Sequence, residues 1–236
     1  LLRERALRKI HGEFFAGAQF DFQGLFQSEF EFEESFAGSN LPRGGEGSQN
    51  LSMGLSLVYD TRHNVLNVRD GYFAEFGIMR SSPNWGSDFA FTTMLFDARI
   101  FRPVRKHQVF AAQAIGNFTF GDVPFNQLSL LGGENMMRGY YRGRFRDNHH
   151  LAAQVEYRFL PVVYQKPWIH RFGAAIFMST GTVFSEQDPF NLDNFVIAGG
   201  AGIRIFIYPE KDIITRLDVA FTREGPGFYL FVGEAF

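Results

Sequence analysis

The residues best suited to charge-based chemistry lie in a Gly- and Arg-rich segment, residues 128–148, that is too irregular for a helix or a strand. Arg138 is the central candidate, because a guanidinium offers a planar fork of hydrogen-bond donors that suits a carboxylate. Glu156 is the first carboxylate expected to pair with it, and Asp218 is the second. This segment could fold back on itself because it contains Gly132, Gly133 and Gly139, and glycine adopts backbone angles that other residues avoid. The sequence therefore predicts a structural ion pair rather than a reacting group.

The same segment allows a second interpretation, in which it is a solvated, cationic surface loop. This alternative stays open because further arginines follow at Arg142, Arg144 and Arg146. Neither interpretation involves catalysis, since the sequence has no nucleophile–base constellation and no glycine loop that would cradle a phosphate. We therefore expect no enzyme activity and no cofactor.

No metal site is expected either. His149 and His150 are adjacent in an alternating stretch, so their side chains would point to opposite faces and could not bind one metal ion together. An acidic run could suggest a calcium site, but we interpret it as a solvated loop face. Its members are Glu29, Glu31, Glu33 and Glu34.

Composition narrows the class of protein. The chain of 236 residues has a net charge of −2, so no bulk electrostatic attraction to nucleic acid is implied. It contains no cysteine, which excludes disulfides and thiolate metal sites. Phe is over-represented at 30 residues, yet no run reaches the roughly 18 apolar residues that a membrane-spanning helix needs. Many aromatic residues in alternating segments are typical of a membrane β-barrel.

The elements that must position the candidate residues are strongly alternating stretches. Across residues 151–159 the odd positions are apolar, whereas the even positions include Glu156 and Arg158. Successive side chains of a strand point to opposite faces, so this stretch has one apolar and one charged wall. We predict about ten such strands, at Lys9–Phe22, Leu51–Arg62, Tyr72–Arg80, Asp88–Val104, Val109–Gly121, Leu151–Phe159, Arg171–Phe184, Phe195–Tyr208, Asp212–Arg223 and Phe228–Phe236.

Connections between these strands alternate between mostly short and mostly long. Short periplasmic turns and longer outside loops are the known asymmetry of outer-membrane barrels. Asp60 and Arg62 lie two residues apart at one short turn, so their side chains face the same side. We expect them to pair near the periplasmic rim as a structural brace.

Three motifs together resemble the outer-membrane protein assembly superfamily, the BamA/TamA-like "bacterial surface antigen" barrels. GGENMMRGYYRGRFRDN followed by EYRF resembles the family's long loop with its V-R-G-F/Y tip, which reads here Met137, Arg138, Gly139 and Tyr140. The family's D-T-R turn has its counterpart in Asp60, Thr61, Arg62 and Gly71. The ending FYLFVGEAF is similar to the family's terminal insertion signal, with Gly233 and Phe236.

The resemblance implies an all-β, transmembrane antiparallel β-barrel in the bacterial outer membrane, with the long loop folded into its lumen. The family barrel has sixteen strands, and the segments here correspond to its last ten. We therefore expect residues 1–236 to be the C-terminal barrel portion of a longer chain, the alternative being a divergent small member. The opening LLRERALRKI is not an export signal, which favours the first.

One departure from the family pattern concerns Ser179. The family has an aspartate at this place in an F-x-D-x-G strand, where it helps to hold the loop arginine. Here the stretch reads FMSTG, with serine at the acidic position. We expect Glu156, Ser179 and Asp218 to be the partners of the loop, with weaker pairing than the family has.

The resemblance also implies a role for the end of the chain. In the family, the seam between the first and last strands can open laterally and offer an unpaired edge to an incoming strand. Gly233 permits a kink at that seam, although it could equally fit a crowded corner. Phe236 is interpreted as a recognition signal for assembly of the barrel itself.

The function implied is insertion, assembly or translocation of outer-membrane proteins. The expected partners are outer-membrane lipids and lipopolysaccharide, client outer-membrane proteins and accessory lipoproteins, with no nucleic acid. Two alternatives stay open: a passive channel or structural barrel without clients, and the membrane anchor of a fused lipid hydrolase.

Overall fold

The computed structural model describes residues 2–26, 41–160, 171–208 and 211–236, and these are almost entirely β-structure. The acidic run at residues 29–34 lies outside the described residues. In those ranges no helix combines the length and apolar character needed to cross a membrane. The strands are β1 (Leu2–His11), β2 (Phe14–Leu25), β3 (Ser48–Asp60), β4 (Gly71–Ser81), β5 (Phe91–Arg105), β6 (Gln108–Gly121), β7 (Ser129–Leu131), β8 (Phe145–Asp147), β9 (His149–Phe159), β10 (Phe172–Phe184), β11 (Val196–Tyr208), β12 (Ile213–Thr222) and β13 (Gly225–Val232).

Eleven of these strands form one antiparallel sheet. Its order follows the chain from β1 to β6 and then from β9 to β13, while β7 and β8 pair separately as a small hairpin. The long loop between β6 and β9 therefore leaves the sheet and returns to the neighbouring position. Among the described strands, β1 and β13 are the two edges. The predicted all-β, antiparallel architecture is confirmed.

The first predicted strand, Lys9–Phe22, is in fact two strands. The chain reverses at Gly12 and Glu13, and His11 pairs with Phe14 across the turn. Gly12 has φ 52°, a left-handed conformation that glycine adopts without steric cost and that two-residue hairpins require. Apolar and polar residues alternate straight through this turn, so the period-2 pattern gave no sign of the reversal.

Burial in the sheet is inverted relative to a water-soluble protein. On β9, Glu156 and Arg158 are fully buried, whereas Val155 and Phe159 are about 40% exposed. The largest fully buried side chains of the described residues are the arginines Arg138, Arg158, Arg204 and Arg216. Charged side chains are almost never buried unless they are paired. A polar inner face and an apolar outer face are the arrangement of a sheet whose outside meets lipid.

The sheet is curled around this polar face, because strands far apart in its order make contact across it. Arg69, which follows β3, donates to Asp212, which precedes β12, at 2.5 Å. The rings of Phe101 on β5 and Phe236 after β13 have centroids 6.0 Å apart. The loop between β6 and β9 lies within the concave side, against the inner wall.

A charge introduced on the apolar face tests this assignment. Met178 is exposed in the middle of β10, and Met178→Arg should lower the free energy of unfolding by about 2–4 kcal/mol, the cost of a cation near the bilayer midplane. The control is Leu192→Arg in the exposed connection after β10, which should cost about 0–1 kcal/mol. Urea unfolding from lipid vesicles measures both. Equal losses would contradict contact of this face with hydrocarbon.

Candidate functional site

The candidate site is the tip of the loop between β6 and β9, residues 137–140. Met137 and Tyr140 are both at most 2% exposed, and they pack with Leu131, Ala152 and Ala198. The tip is a tight turn in which the Tyr140 N–H donates to the Met137 carbonyl at 3.2 Å. The β7–β8 hairpin forms the stem above it. The alternative of a solvated loop therefore does not describe this tip.

Glycine is required at one position of the tip for two reasons. Gly139 has φ 110°, and a Cβ there would overlap the methyl group of Thr222 on β12. The residue that faces Gly139 on β13 is also a glycine, Gly227, and a Cβ there would lie 2.9 Å from the Gly139 Cα. The backbone of the tip thus lies directly against β12 and β13, closer than side chains would allow.

Arg138 bridges two carboxylates that lie on different strands. Its Nη2 donates to Glu156 Oε2 on β9 at 2.6 Å, and its Nη1 donates to Asp218 Oδ2 on β12 at 2.7 Å. Between those strands, the Phe177 ring on β10 lies under the guanidinium, 3.4 Å from Cζ to the ring centroid. One side chain therefore connects the inner faces of β9, β10 and β12.

Further buried arginines share the same carboxylates. Arg204 donates to Asp218 Oδ1 at 2.5 Å and to Glu156 Oε1 at 2.9 Å, while Arg158 donates to Glu156 Oε1 at 2.9 Å. Space for the Asp218–Arg204 contact comes from Gly202, where a Cβ would overlap the Asp218 carboxylate. Since an isolated buried charge is costly, each of these groups depends on the others.

Glu234, after β13, is the third carboxylate of this cluster. Arg204 Nε donates to its Oε2 at 3.0 Å, and Arg158 Nε lies 3.8 Å from the same oxygen. Burial raises the pKa of the Glu234 carboxyl above its ordinary value, although the guanidinium groups of Arg158 and Arg204 oppose the shift. The cluster therefore joins the end of the chain to the wall that holds the loop.

A second set of contacts fixes the loop next to its tip. Arg216 on β12 donates to the Glu134 carbonyl and to Asn135 Oδ1, both at 2.9 Å. Gln154 on β9 donates to the Asn135 carbonyl at 2.8 Å. These bonds repeat the link between β9 and β12 that Arg138 makes.

The edge strand β13 is tied to the tip through Tyr229. Its hydroxyl accepts a hydrogen bond from the Gly139 N–H at 2.8 Å and donates to the Tyr140 carbonyl at 3.2 Å. Sequence reasoning did not single out Tyr229. On an alternating last strand, Tyr229 falls on the same face as Gly227, and this was the available signal for an inward side chain.

Ser179 differs from the expectation that it partners the loop. Its hydroxyl donates instead to the Ala198 carbonyl on the neighbouring strand at 3.4 Å. Phe177, two residues earlier, covers the guanidinium of Arg138, and Asp218 supplies a second carboxylate. Arg138 thus has two carboxylate partners without Ser179, and the weaker pairing expected relative to the family stays a prediction.

The Asp60–Gly71 motif forms a compact brace around the turn between β3 and β4. Arg62 donates to both oxygens of Asp60, at 2.9 and 2.8 Å, in a bidentate pair. The Thr61 hydroxyl accepts from the Tyr72 N–H at 2.8 Å. Gly71 has φ 116°, and a Cβ there would lie 2.8 Å from the Thr61 carbonyl oxygen. These contacts hold the two ends of the turn together.

The end of the chain does not continue the last strand as predicted. β13 ends at Val232, and Gly233, with φ 89°, turns the chain inward. Phe236 is 7% exposed and packs with Val68, Phe101, Ala111 and Ala235. The predicted strand Phe228–Phe236 thus begins three residues after the observed start at Gly225 and ends four residues after the observed end at Val232. It ends too late because β12 begins at Ile213, and Glu234 and Phe236 make buried contacts instead.

Metal-ligating side chains are not grouped in the site: across the described ranges, no three His, Asp or Glu residues are placed to hold one ion. What the arrangement provides is a rigid, buried link from the loop to the wall. Its chemistry is charge pairing.

The contrast between two loop arginines gives a direct test. Arg138→Ala removes one of the two arginines that Glu156 and Asp218 share, and breaking a buried pair costs about 3–5 kcal/mol. Arg144 pairs with Glu224 at the exposed surface, so Arg144→Ala should leave stability almost unchanged. The midpoint of the heat-induced mobility shift on gels compares the two. Equal midpoints would remove the reason for treating Arg138 as a buried anchor.

Tyr229→Phe isolates the link between the tip and the edge strand. It keeps the ring and leaves the Gly139 N–H without an acceptor, which should cost about 1–3 kcal/mol. Amide hydrogen exchange at Gly139 should accelerate accordingly. Tyr157→Phe, which removes a hydroxyl bonded to Gln108 on the same sheet, is the control and should not affect that amide. An unchanged exchange rate in Tyr229→Phe would refute the link.

Comparison with known proteins agrees with the geometry. The Omp85 superfamily domain matches residues 16–236. Among solved structures, BamA from Haemophilus ducreyi lacking POTRA domains 1–3 aligns with a TM-score of 0.64 and 16% identity, covering 93% of this chain and 50% of that one. The chain thus spans about half the length of that BamA chain. No curated protein sequence matches. The chain belongs to the Omp85 superfamily and is an integral β-barrel protein of the bacterial outer membrane.

Proposed function

We propose that residues 1–236 are the C-terminal barrel portion of an outer-membrane protein that inserts, assembles or translocates other outer-membrane proteins, without enzymatic activity. The observation that carries this proposal is the buried attachment of the Arg138 loop to β9 and β12, together with its link to the edge strand through Tyr229. A passive pore has no need of such a connection between an inner loop and a sheet edge.

The edge strand is the proposed working element. β13 is hydrogen-bonded to β12 alone among the described strands, over Thr215–Thr222. Its ladder is shorter than that between β5 and β6, which runs from Phe91 to Arg105. An edge strand presents unpaired N–H and C=O groups, and an extended client segment could add to it by β-augmentation.

The loop supports this step from inside. When β13 opens or pairs with a client segment, its contacts change. Strands β9–β12 must keep their register during that change. Arg138 and Arg204 hold that register, because their shared carboxylates lose their partners if the strands separate. Tyr229 carries any movement of β13 to the loop tip through two hydrogen bonds.

The proposed partners follow from the two surfaces. The outward side chains of β13, Phe228 and Leu230, are about 70% exposed and suit acyl chains of the outer-membrane lipids, lipopolysaccharide included. Client outer-membrane proteins would engage the backbone edge, and accessory lipoproteins would act with the protein as a whole.

Depletion of the full-length protein in its own bacterium tests the role. We expect other outer-membrane barrels to fall in abundance, and re-supplied protein to restore them. Arg144→Ala should restore them as the wild type does, whereas Arg138→Ala should restore them less. Unchanged levels of other barrels after depletion would overturn the proposal and leave the passive channel, which conductance in planar bilayers would then reveal.

A further inference from the structure

The turn between β3 and β4 makes contacts well beyond its own brace. Asp212, at the turn before β12, has a carboxylate oxygen that accepts from two residues of this turn, Asn67 at 3.0 Å and Arg69 at 2.5 Å. Asp212 has φ 57°, so its backbone is held in the left-handed region. The turn is thereby attached to a part of the sheet six strands further along its order.

The same turn also contacts residues 233–236, which we call the terminal segment. The Glu234 N–H donates to the Leu66 carbonyl at 3.4 Å, and Val68 packs in one buried cluster with Phe236. Arg158 joins the two, donating to the Val68 carbonyl at 3.3 Å and to the Phe236 main-chain oxygen at 3.1 Å. The terminal segment therefore lies between the turn and the charged cluster.

The ladder between β12 and β13 is nearly complete where the chain leaves the sheet at Gly233. Ile214 on β12 accepts a hydrogen bond from the Gly233 N–H at 2.8 Å, and β12 begins one residue earlier, at Ile213. The contacts that hold Glu234, Ala235 and Phe236 inside come from Leu66, Val68 and the buried arginines. These inner contacts, rather than pairing in the sheet, hold the terminal segment in place.

We propose that the turn of residues 61–70, fixed by Asp212, holds the terminal segment inside the barrel. When the turn is released, the terminal segment leaves the interior and becomes accessible to solvent. The proposal concerns the conformation of this chain and does not require that the protein has clients.

Residues 1–236 contain no cysteine, so an introduced thiol is the only one in this part of the chain. Ala235 is buried in the cluster, and Ala235→Cys adds little volume there. The full-length protein carrying this cysteine is folded in lipid vesicles and treated with a water-soluble maleimide. The labelling rate then follows local opening of the terminal segment.

Asp212→Gly is the first variant, since it removes the carboxylate and tolerates the left-handed backbone. Labelling of Cys at position 235 should accelerate by about tenfold or more, the order expected when charge-assisted hydrogen bonds are lost. His107→Gly is the matched control, because His107 also has a left-handed backbone (φ 66°) in another turn at the same end of the sheet. Its labelling rate should equal that of the parent.

Val68→Ala is the second variant and removes apolar contact with Phe236 while leaving Asp212 intact. It should also accelerate labelling, and it decides the question if Asp212→Gly does not fold. The heat-induced gel shift identifies which variants are folded. A labelling rate at the parent value in the folded variants would overturn the proposal, whatever the outcome of the depletion experiment.

Discussion

The structure depends on the pairing of buried guanidinium groups with a few carboxylates. Glu156 and Asp218 each accept hydrogen bonds from Arg138 and Arg204, and Glu234 accepts one from Arg204. None of these groups would be stable alone in a desolvated interior. The inner wall, the loop and the end of the chain are consequently held together by one shared set of charges.

This interior requires the inverted sheet that surrounds it. A strand with charged residues on one face and apolar residues on the other can bury its charges only against other polar groups. Curling the sheet brings those polar faces together and leaves the apolar faces for lipid, where every backbone group must be paired within the protein. Small residues then decide the fit: Gly139 and Gly202 admit the tip and the Arg204–Asp218 pair, where side chains would clash.

Local periodicity explains what could be predicted from the sequence. Alternation on β9 predicted which residues face inward, and the fork geometry of arginine predicted that Arg138 needs a carboxylate; the functional roles of these residues stay predictions. The hairpin at Gly12, the bridge from Tyr229 and the inward direction of the turn at Gly233 were missed, although a kink at Gly233 was one of the two interpretations of that residue. The alternating pattern continues through the hairpin at Gly12 and so gives no sign of it. The other two features depend on contacts between segments distant in the chain, such as Leu66 with Glu234.

The central claim is that Arg138 and Asp218 act as one buried unit, and a double-mutant cycle measures this most directly. Unfolding free energies of Arg138→Met, Asp218→Asn and the double variant would be compared with that of the parent protein in the same lipid vesicles. The account predicts a coupling energy of about 1–3 kcal/mol, as expected for groups in direct contact within a charge network. Strictly additive effects of the two substitutions would contradict it.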